Sequence, residues 1–464
     1  MLEGLEISEI ALSALERTLR LDSEYFLKTH LLHAKLLEQK HTTTIAASFD
    51  ISDGNHFSVT NHYVPDGVPY YRGQDAVGHF FIEQSASNSI SKTAYDSHLM
   101  KRSHLKRGDV LLSIVGSIGE ASLVSSERDA TCSCKLAILR PRKMQSAYLA
   151  SFLRGKYGRA QTQRLTRGAI QMSLLLEDMD QVLVPQFSNR FELKIVNITA
   201  ASKDAIEVSE NAIAAIEAVL YQALGLESWV APEPLTYVQN CKDAFSSGRL
   251  DAEFLQPKYA ATFDKLSSQF ELASLGDLGV VTKGVTVPYS ENGSVAIIRS
   301  GDLSDISDDS RFLRSNLTEQ PFLLKCGDVL ISSIGFGSIG KVQVFDKQGS
   351  YATVSEVTVV RQNKVNPYYL AAFFRSSVGQ MQIERFITGA TGQLHLYPRD
   401  VAKFWIPVLA TGRQLEFESI AKAALAGKER AVALLKVAKN AIEIAIEQDE
   451  AAGMAYLARE SSTE

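Results

Sequence analysis

Arg20-Leu21-Asp22-Ser23-Glu24-Tyr25-Phe26 returns 229 residues later as Arg249-Leu250-Asp251-Ala252-Glu253-Phe254. Six further blocks recur in the same order. Arg72 with Asp75 corresponds to Arg299 with Asp302, and Gly108-Asp109-Val110-Leu111 to Gly327-Asp328-Val329-Leu330. Gly116 and Gly119 correspond to Gly337 and Gly340, and Tyr148-Leu149-Ala150-Ser151-Phe152 to Tyr369-Leu370-Ala371-Ala372-Phe373. Gly168-Ala169 pairs with Gly389-Ala390, and Val184-Pro185 with Ile406-Pro407. The offset drifts only between 219 and 229, the mark of loops that vary in length on a shared frame. Chance likeness does not keep order through seven blocks. The 464 residues therefore hold one unit written twice, rather than an unspecified set of two to four domains.

Each copy has the same internal order. After the R-L-D block comes a strand-rich half centred on Lys106-Arg107-Gly108-Asp109-Val110-Leu111-Leu112-Ser113-Ile114-Val115, and on Lys325 to Ile334 in the second copy. Gly-Asp supplies a tight turn and the apolar, partly β-branched run supplies a buried strand. A short helix is expected at Ala147–Gly155 and Tyr368–Ser376, then a basic loop carrying Gly168 or Gly389, then a strand ending in Val-Pro or Ile-Pro.

Beyond that Pro the pattern changes. Asn189–Leu224 and Arg413–Gln448 contain no Pro and a single Gly, Gly427. Ile206, Ile213 and Leu220 lie seven apart, with Ile216 between them; Leu435 and Ile442 do the same. That spacing is a seam for another helix. At 1.5 Å per residue such a helix is about 54 Å long, and its natural partner is its own duplicate. An ordinary bundle helix is the alternative, weakened by there being one such helix per copy.

Motifs for catalysis are weak. Gly335-Phe336-Gly337-Ser338-Ile339-Gly340 spells G-x-G-x-x-G, but a dinucleotide site needs a helix next. Lys341-Val342-Gln343-Val344-Phe345 alternates as a strand does, so a hairpin turn is expected. Asn366-Pro367-Tyr368-Tyr369 is similar to the Asn-Pro-Pro-Tyr loop of adenine-N6 methyltransferases but lacks the second Pro; a turn opening a helix is expected. The nine histidines form no metal-binding pair, and Ser113 and Ser332 lack a Gly-x-Ser-x-Gly frame. Cys132, Cys134, Cys241 and Cys326 make no C-x-x-C pair, and Cys132-Ser133-Cys134 becomes Thr353-Val354-Ser355 in the other copy, so packing is expected of them. No run approaches the roughly 18 apolar residues of a membrane span, and the acidic first residues do not form a signal peptide. A reduced cytoplasmic protein is expected.

Net charge, −5, argues at first against a nucleic-acid binder, but it averages over opposed parts. Residues 101–175 hold 14 Lys/Arg against 4 Asp/Glu, and 323–399 hold 8 against 4. The helical segments 188–228 and 411–464 are acidic, with 3 against 6 and 7 against 9. A basic half of this kind fits phosphate neutralisation. Arg and Gln also suit the edges of guanine and adenine. By charge and loop position, candidate DNA contacts are Arg72, Lys101, Arg102, Lys106, Arg107, Arg164, Arg167, Gln171, Arg299, Lys325, Lys341, Arg385, Gln393, His395 and Arg399. Helix packing is expected of Ile206, Ile213, Ile216, Leu220, Leu435 and Ile442.

Two variable domains, each with a G-D-V-L strand, a Tyr-Leu helix, a Gly loop, a (V/I)-P strand and a long helix, resemble the specificity subunit of type I restriction–modification systems. The resemblance spans nearly the whole chain. It implies an α+β chain with pseudo-twofold symmetry: target-recognition domains at 1–187 and 229–410, and spacer helices at 188–228 and 411–464, the latter with a C-terminal tail. It implies that the two helices pack as an antiparallel coiled coil and set the gap in a bipartite, asymmetric double-stranded DNA site. It also implies docking of two adenine methyltransferase subunits and of motor-nuclease subunits. S-adenosylmethionine, ATP and Mg would then belong to those partners, leaving this chain non-catalytic. The chain departs from the family at the start of its helices, where Pro185-Gln186-Phe187 and Pro407-Val408-Leu409 replace the usual Pro-Pro, with Gln414 further on. A coiled-coil scaffold, or the DNA-binding subunit of a related defence or modification complex, is the competing expectation.

Overall fold

The fold is taken from a computed structural model. It describes all residues except 1–5, 16–19, 86, 169–171, 305, 307, 308, 310, 311, 317–322, 336, 390–393, 463 and 464. The chain divides into two compact units, Met1–Ile206 with Arg430–Glu464, and Glu207–Glu429. Each takes part of both long helices.

The duplication seen in the sequence is a duplication of topology. In the first unit a four-stranded sheet runs in the order Phe49–Asp53, Leu136–Pro141, Val110–Ser113, Ala121–Leu123. In the second the order is Gly279–Lys283, Val357–Gln362, Val329–Ser332, Val342–Val344. The Gly-Asp strands are central in both, with every residue buried, which is why they read as unbroken apolar runs. A three-stranded sheet accompanies each: Asn88–Ile90, Tyr63–Tyr71 and Thr131–Cys132 in one, Leu313–Ser315, Val295–Ile298 and Tyr351–Thr353 in the other. The Val-Pro and Ile-Pro strands pair antiparallel with Thr42–Thr44 and Leu272–Ser274.

The short helices form at Ser146–Arg154 and Pro367–Arg375. They lead into second helices, Lys156–Leu165 and Ser377–Phe386, before the chain reaches the Gly loops. The polar sequences of these second helices hid them. They bury one face, Tyr157, Ala160 and Leu165 in the first. Gly158 and Gly379 allow the close turn between the helix pairs. A Cβ at Gly158 would lie 2.4 Å from Phe152 O, and one at Gly379 2.1 Å from Phe373 O. Gly335, Gly337 and Gly340 all have positive φ, between antiparallel strands Val329–Ser332 and Val342–Val344. The G-x-G-x-x-G stretch is the expected hairpin turn. Asn366 caps the helix Pro367–Arg375, accepting from Tyr368 N at 2.9 Å, as expected of a turn that opens a helix.

The long helices span Asn189–Leu224 and Thr411–Glu447. They pack antiparallel. In the first unit Ser202 Oγ donates to Ala431 O at 3.0 Å. In the second, Ser209 Oγ donates to Ala424 O at 2.7 Å, seven residues forward on one helix and seven back on the other. The buried heptad positions are Ile195, Ser202, Ser209 and Ile216 on one side and Phe417, Ala424, Ala431, Ala438 and Ala445 on the other. Of the residues expected to pack, Ile213 alone is corrected. Ile213 is 55% exposed. Ile216 and Leu220 pack into the core of the second unit and Ile442 into that of the first, with Ile206 and Leu435 half-buried against it. The reason is size: small residues let the helix backbones approach, and Ser202 and Ser209 each donate to a carbonyl of the other helix, which offsets the burial of their hydroxyls. The C-terminal tail is itself helical, Glu450–Ser462, with Leu457 buried in the first unit's core and Ser188 N donating to Glu450 at 2.8 Å.

Candidate nucleic-acid interface

In the first unit, a cleft of ≈ 440 Å³ opens where the Gly-Asp strand ends. Phe57, Tyr63, Tyr70, Arg72, Ser133 and Lys135 are among the side chains that line it, with the turn at Val115, Gly116 and Ser117. Three local devices bring them together. The strand Tyr63–Tyr71 delivers the tyrosines. The Arg-x-x-Asp repeat is a turn in which the buried Asp75 carboxylate accepts from Arg72 N at 2.7 Å, which orients Arg72 at the strand's end. The tight turn between Thr131–Cys132 and Leu136–Pro141 presents Lys135, whose carbonyl accepts from Ile114 N at 3.0 Å. Phe57 and Tyr63 are 53% and 40% exposed, which leaves ring surface open for a base to stack on. Burial raises the Tyr70 phenol, against a side-chain hydrogen bond with Asn55.

Arg72 is held loosely. Its Nε lies 3.6 Å from Asp75 and is buried with no hydrogen-bond partner. The equivalent Arg299 is more fully engaged, with Nε 3.1 Å and Nη2 3.2 Å from the two oxygens of Asp302; these bonds raise its pKa.

The other candidates separate into groups. Arg164 and Arg385 are taken up by the fold. Arg164 Nε donates to Tyr25 O at 3.0 Å and its guanidinium sits 4.2 Å over the Tyr25 ring; Arg385 does the same to Phe254, at 3.1 Å and 4.5 Å. Burial pushes the Arg385 pKa down. The R-L-D repeat completes this clamp. Arg20 and Arg249 pair with Asp22 and Asp251 and stack on the same two rings, and Arg20 also donates to Thr166 O at 2.9 Å. Arg167 pairs with the buried Asp178, whose pKa burial nevertheless raises, and Arg102 pairs with Asp53. Lys106, Arg107 and Lys325 lie at the Gly-Asp turns, the opposite end of the strand from the cleft. Lys101 is exposed on the turn Lys101–Ser103, and Lys341 Nζ donates to Ser304 at 3.1 Å. His395 and Arg399 flank Tyr397, the histidine ring 6.1 Å from it and the guanidinium 5.2 Å over it. Gln171 and Gln393 lie outside the described residues.

Sequence reasoning by charge missed Phe57, Tyr63, Tyr70, Lys135 and Tyr397. A signal existed for Lys135: it follows Cys132-Ser133-Cys134, where the two copies diverge on a shared frame. Burial pushes the Cys132 thiol far up, in keeping with a packing role. Among the described residues no group of three or more His, Cys, Asp or Glu side chains could hold a metal ion, and no helix is long and apolar enough to cross a membrane.

No protein-family model and no curated protein matches the chain. Among solved structures it is similar to the S subunit of a type I restriction–modification system from M. genitalium, at 13% identity and a TM-score of 0.40, over 90% of this chain and 96% of that one. It is also similar to the HsdS subunit from Thermoanaerobacter tengcongensis, at 15% identity and a TM-score of 0.29, over 88% of this chain and 97% of that one. A chain from a study of assembly of the type I R-M system is similar at 13% identity and a TM-score of 0.29, over 87% of this chain and 98% of that one.

Proposed function

We propose that the chain is the DNA-reading specificity subunit of a type I restriction–modification complex. Each unit reads one half of a bipartite, asymmetric duplex site. The paired helices dock two adenine methyltransferase subunits, and motor-nuclease subunits join them. Methyl transfer and ATP hydrolysis, with S-adenosylmethionine, ATP and Mg, fall to those partners, all acting in the cytoplasm.

One observation carries this reading: two units with the same topology and the same buried anchors end in different surface residues. Tyr148 and Tyr369 donate to Pro185 O and Pro407 O at 2.9 and 2.7 Å, yet Lys135 in one copy is Glu356 in the other. A scaffold with no ligand to discriminate has no use for a rigid frame with divergent faces. A reader of two unlike half-sites needs it. Aromatics beside cations in a cleft fit bases and phosphates.

The test is binding of the full-length chain to duplex DNA across a salt series. Observed affinity should fall with a slope of about −0.9 in log–log form for each phosphate contacted. Co-expression with a type I adenine methyltransferase subunit should then yield methylation at a split, non-palindromic site. A flat salt response together with no site-dependent methylation overturns the proposal.

A further inference from the structure

The two copies place opposite charges at one equivalent position. Ile114 N donates to Lys135 O at 3.0 Å, and Ser333 N donates to Glu356 O at 2.8 Å, so each residue occupies the same spot relative to its Gly-Asp strand. Each sits in the tight turn leading into the neighbouring strand, Leu136–Pro141 or Val357–Gln362. The frame around them is also repeated. Asn55 N and Val285 N donate to Cys132 O and Thr353 O at 2.7 and 3.0 Å. Lys135 is exposed and Glu356 half-buried, and neither has an ion-pair partner among the described residues. The Lys135 Cβ would meet a Cβ built on Gly73, the residue after Arg72, at 3.7 Å, which places the lysine stem beside the arginine on the cleft wall.

From this juxtaposition we infer that Lys135 and Glu356 are a specificity-determining pair. Lys135, with the loosely held Arg72, takes a base edge made of acceptors: guanine O6 and N7. Glu356, at the equivalent position, takes an exocyclic amino group: cytosine N4 or adenine N6. The inference rests on the DNA-reading proposal and deepens it. The chemistry follows from what each side chain can do. An ammonium only donates and a carboxylate only accepts, while the major groove displays a distinct donor and acceptor pattern for each base pair. A phosphate contact predicts otherwise, since Glu356 facing a phosphate is repelled. A lysine at both positions could serve the backbone; a lysine at one and a glutamate at the other cannot.

The experiment selects duplexes from a randomised library with the full-length chain, wild type and four variants: Lys135→Glu, Lys135→Gln, Glu356→Lys and Glu356→Gln. Thermal melting checks that each is folded; the Gln variants remove the charge and leave a neutral amide that both donates and accepts. Lys135→Gln should lose about tenfold or more of the preference for guanine at one position of one half-site and leave the other half-site unchanged. Lys135→Glu should move that position toward an amino-bearing base. Glu356→Lys should do the converse in the other half-site, and whether cytosine or adenine is lost with Glu356→Gln identifies the amino group. Duplexes carrying 7-deazaguanine at the selected position should bind the wild type more weakly and Lys135→Glu, which has no donor for N7, no differently. If the wild type selects a bipartite site and the variants select the same one, with affinity altered uniformly, the pair touches only the backbone and this inference fails while the DNA-reading proposal stands. If the wild type selects no sequence and shows no salt-dependent binding, both fall.

Discussion

In the first unit Arg140 grips Asp109 with two hydrogen bonds, 2.9 and 2.7 Å, and reaches His104 O at 3.1 Å. In the second, Arg361 grips Asp328 at 2.8 and 2.6 Å and reaches Leu323 O at 2.7 Å. The two pairs match in geometry; Lys135 and Glu356, at the other end of the same strands, do not match in charge. Asp109 and Asp328 are buried and each also accepts a turn N–H, from Lys106 and Lys325, both at 2.8 Å. A buried carboxylate with a full set of donors cannot be exchanged without loss, whereas an exposed lysine can become a glutamate at no cost to the fold. The comparison teaches which residues hold the frame and which are free to carry information.

The sharpest way to break that comparison is to remove one carboxylate from each frame. Asp109→Ala and Asp328→Ala each leave a turn N–H unbonded and take the carboxylate from an arginine that keeps its carbonyl contact. Each should cost about 2–4 kcal/mol, toward the lower end because both arginines keep contact with water. Urea unfolding followed by hydrogen exchange should locate the loss in the unit that carries the change, with matched sizes. A loss confined to one of the two would mean that the repeated pairs are alike in geometry only.

Topology was largely legible because it was written twice. The order of blocks set the number of units, and the apolar Gly-Asp run set the central strand. The helices Asn189–Leu224 and Thr411–Glu447 match the Pro-free stretches nearly residue for residue. The seam was legible only at Ile216, because its middle is made by the small residues Ser202, Ser209, Ala424 and Ala431. A heptad of Ile, Ser, Ser and Ile has too little hydrophobic contrast to announce itself. Ile213, which has that contrast, lies exposed. The cleft was illegible for another reason: Tyr63, Tyr70 and Lys135 are distant in sequence and meet only through strand pairing. The second comparison therefore lies within the helix pair. Ser202→Leu and Ser209→Leu should each cost about 1–3 kcal/mol by forcing close backbones apart. Ser→Ala at either place should cost about 1 kcal/mol or less, because a small apolar group still fits. Thermal unfolding measures both. If Ser→Leu stabilises, the seam has room that the buried serines do not use.

The smallest expected effect separates the units by pH. The helix Lys28–Glu38 carries His30 and His33, while the equivalent helix Pro257–Ser267 has Tyr259 and Thr262 at the same offset and no histidine. Both imidazoles have pKa values held below the ordinary 6.5, mainly by burial. Arg164 and His33 add repulsion at His30, and Lys156 at His33; Glu6 and Glu447 oppose it. The Nδ1 atoms of both rings are buried without a hydrogen-bond partner, so protonation there gains nothing from the fold. A depressed histidine binds its proton more readily when unfolded. Stability is therefore unaffected above about pH 6.5, falls as pH drops through that value, and levels off once the folded pKa values are passed. The first unit should lose stability between neutral pH and about pH 5 by more than the second, read by hydrogen exchange of each unit in one sample. His30→Tyr with His33→Thr, which copies the second unit's residues, should remove that difference. Equal acid sensitivity in the double variant and the wild type would assign the loss to carboxylates common to both units instead.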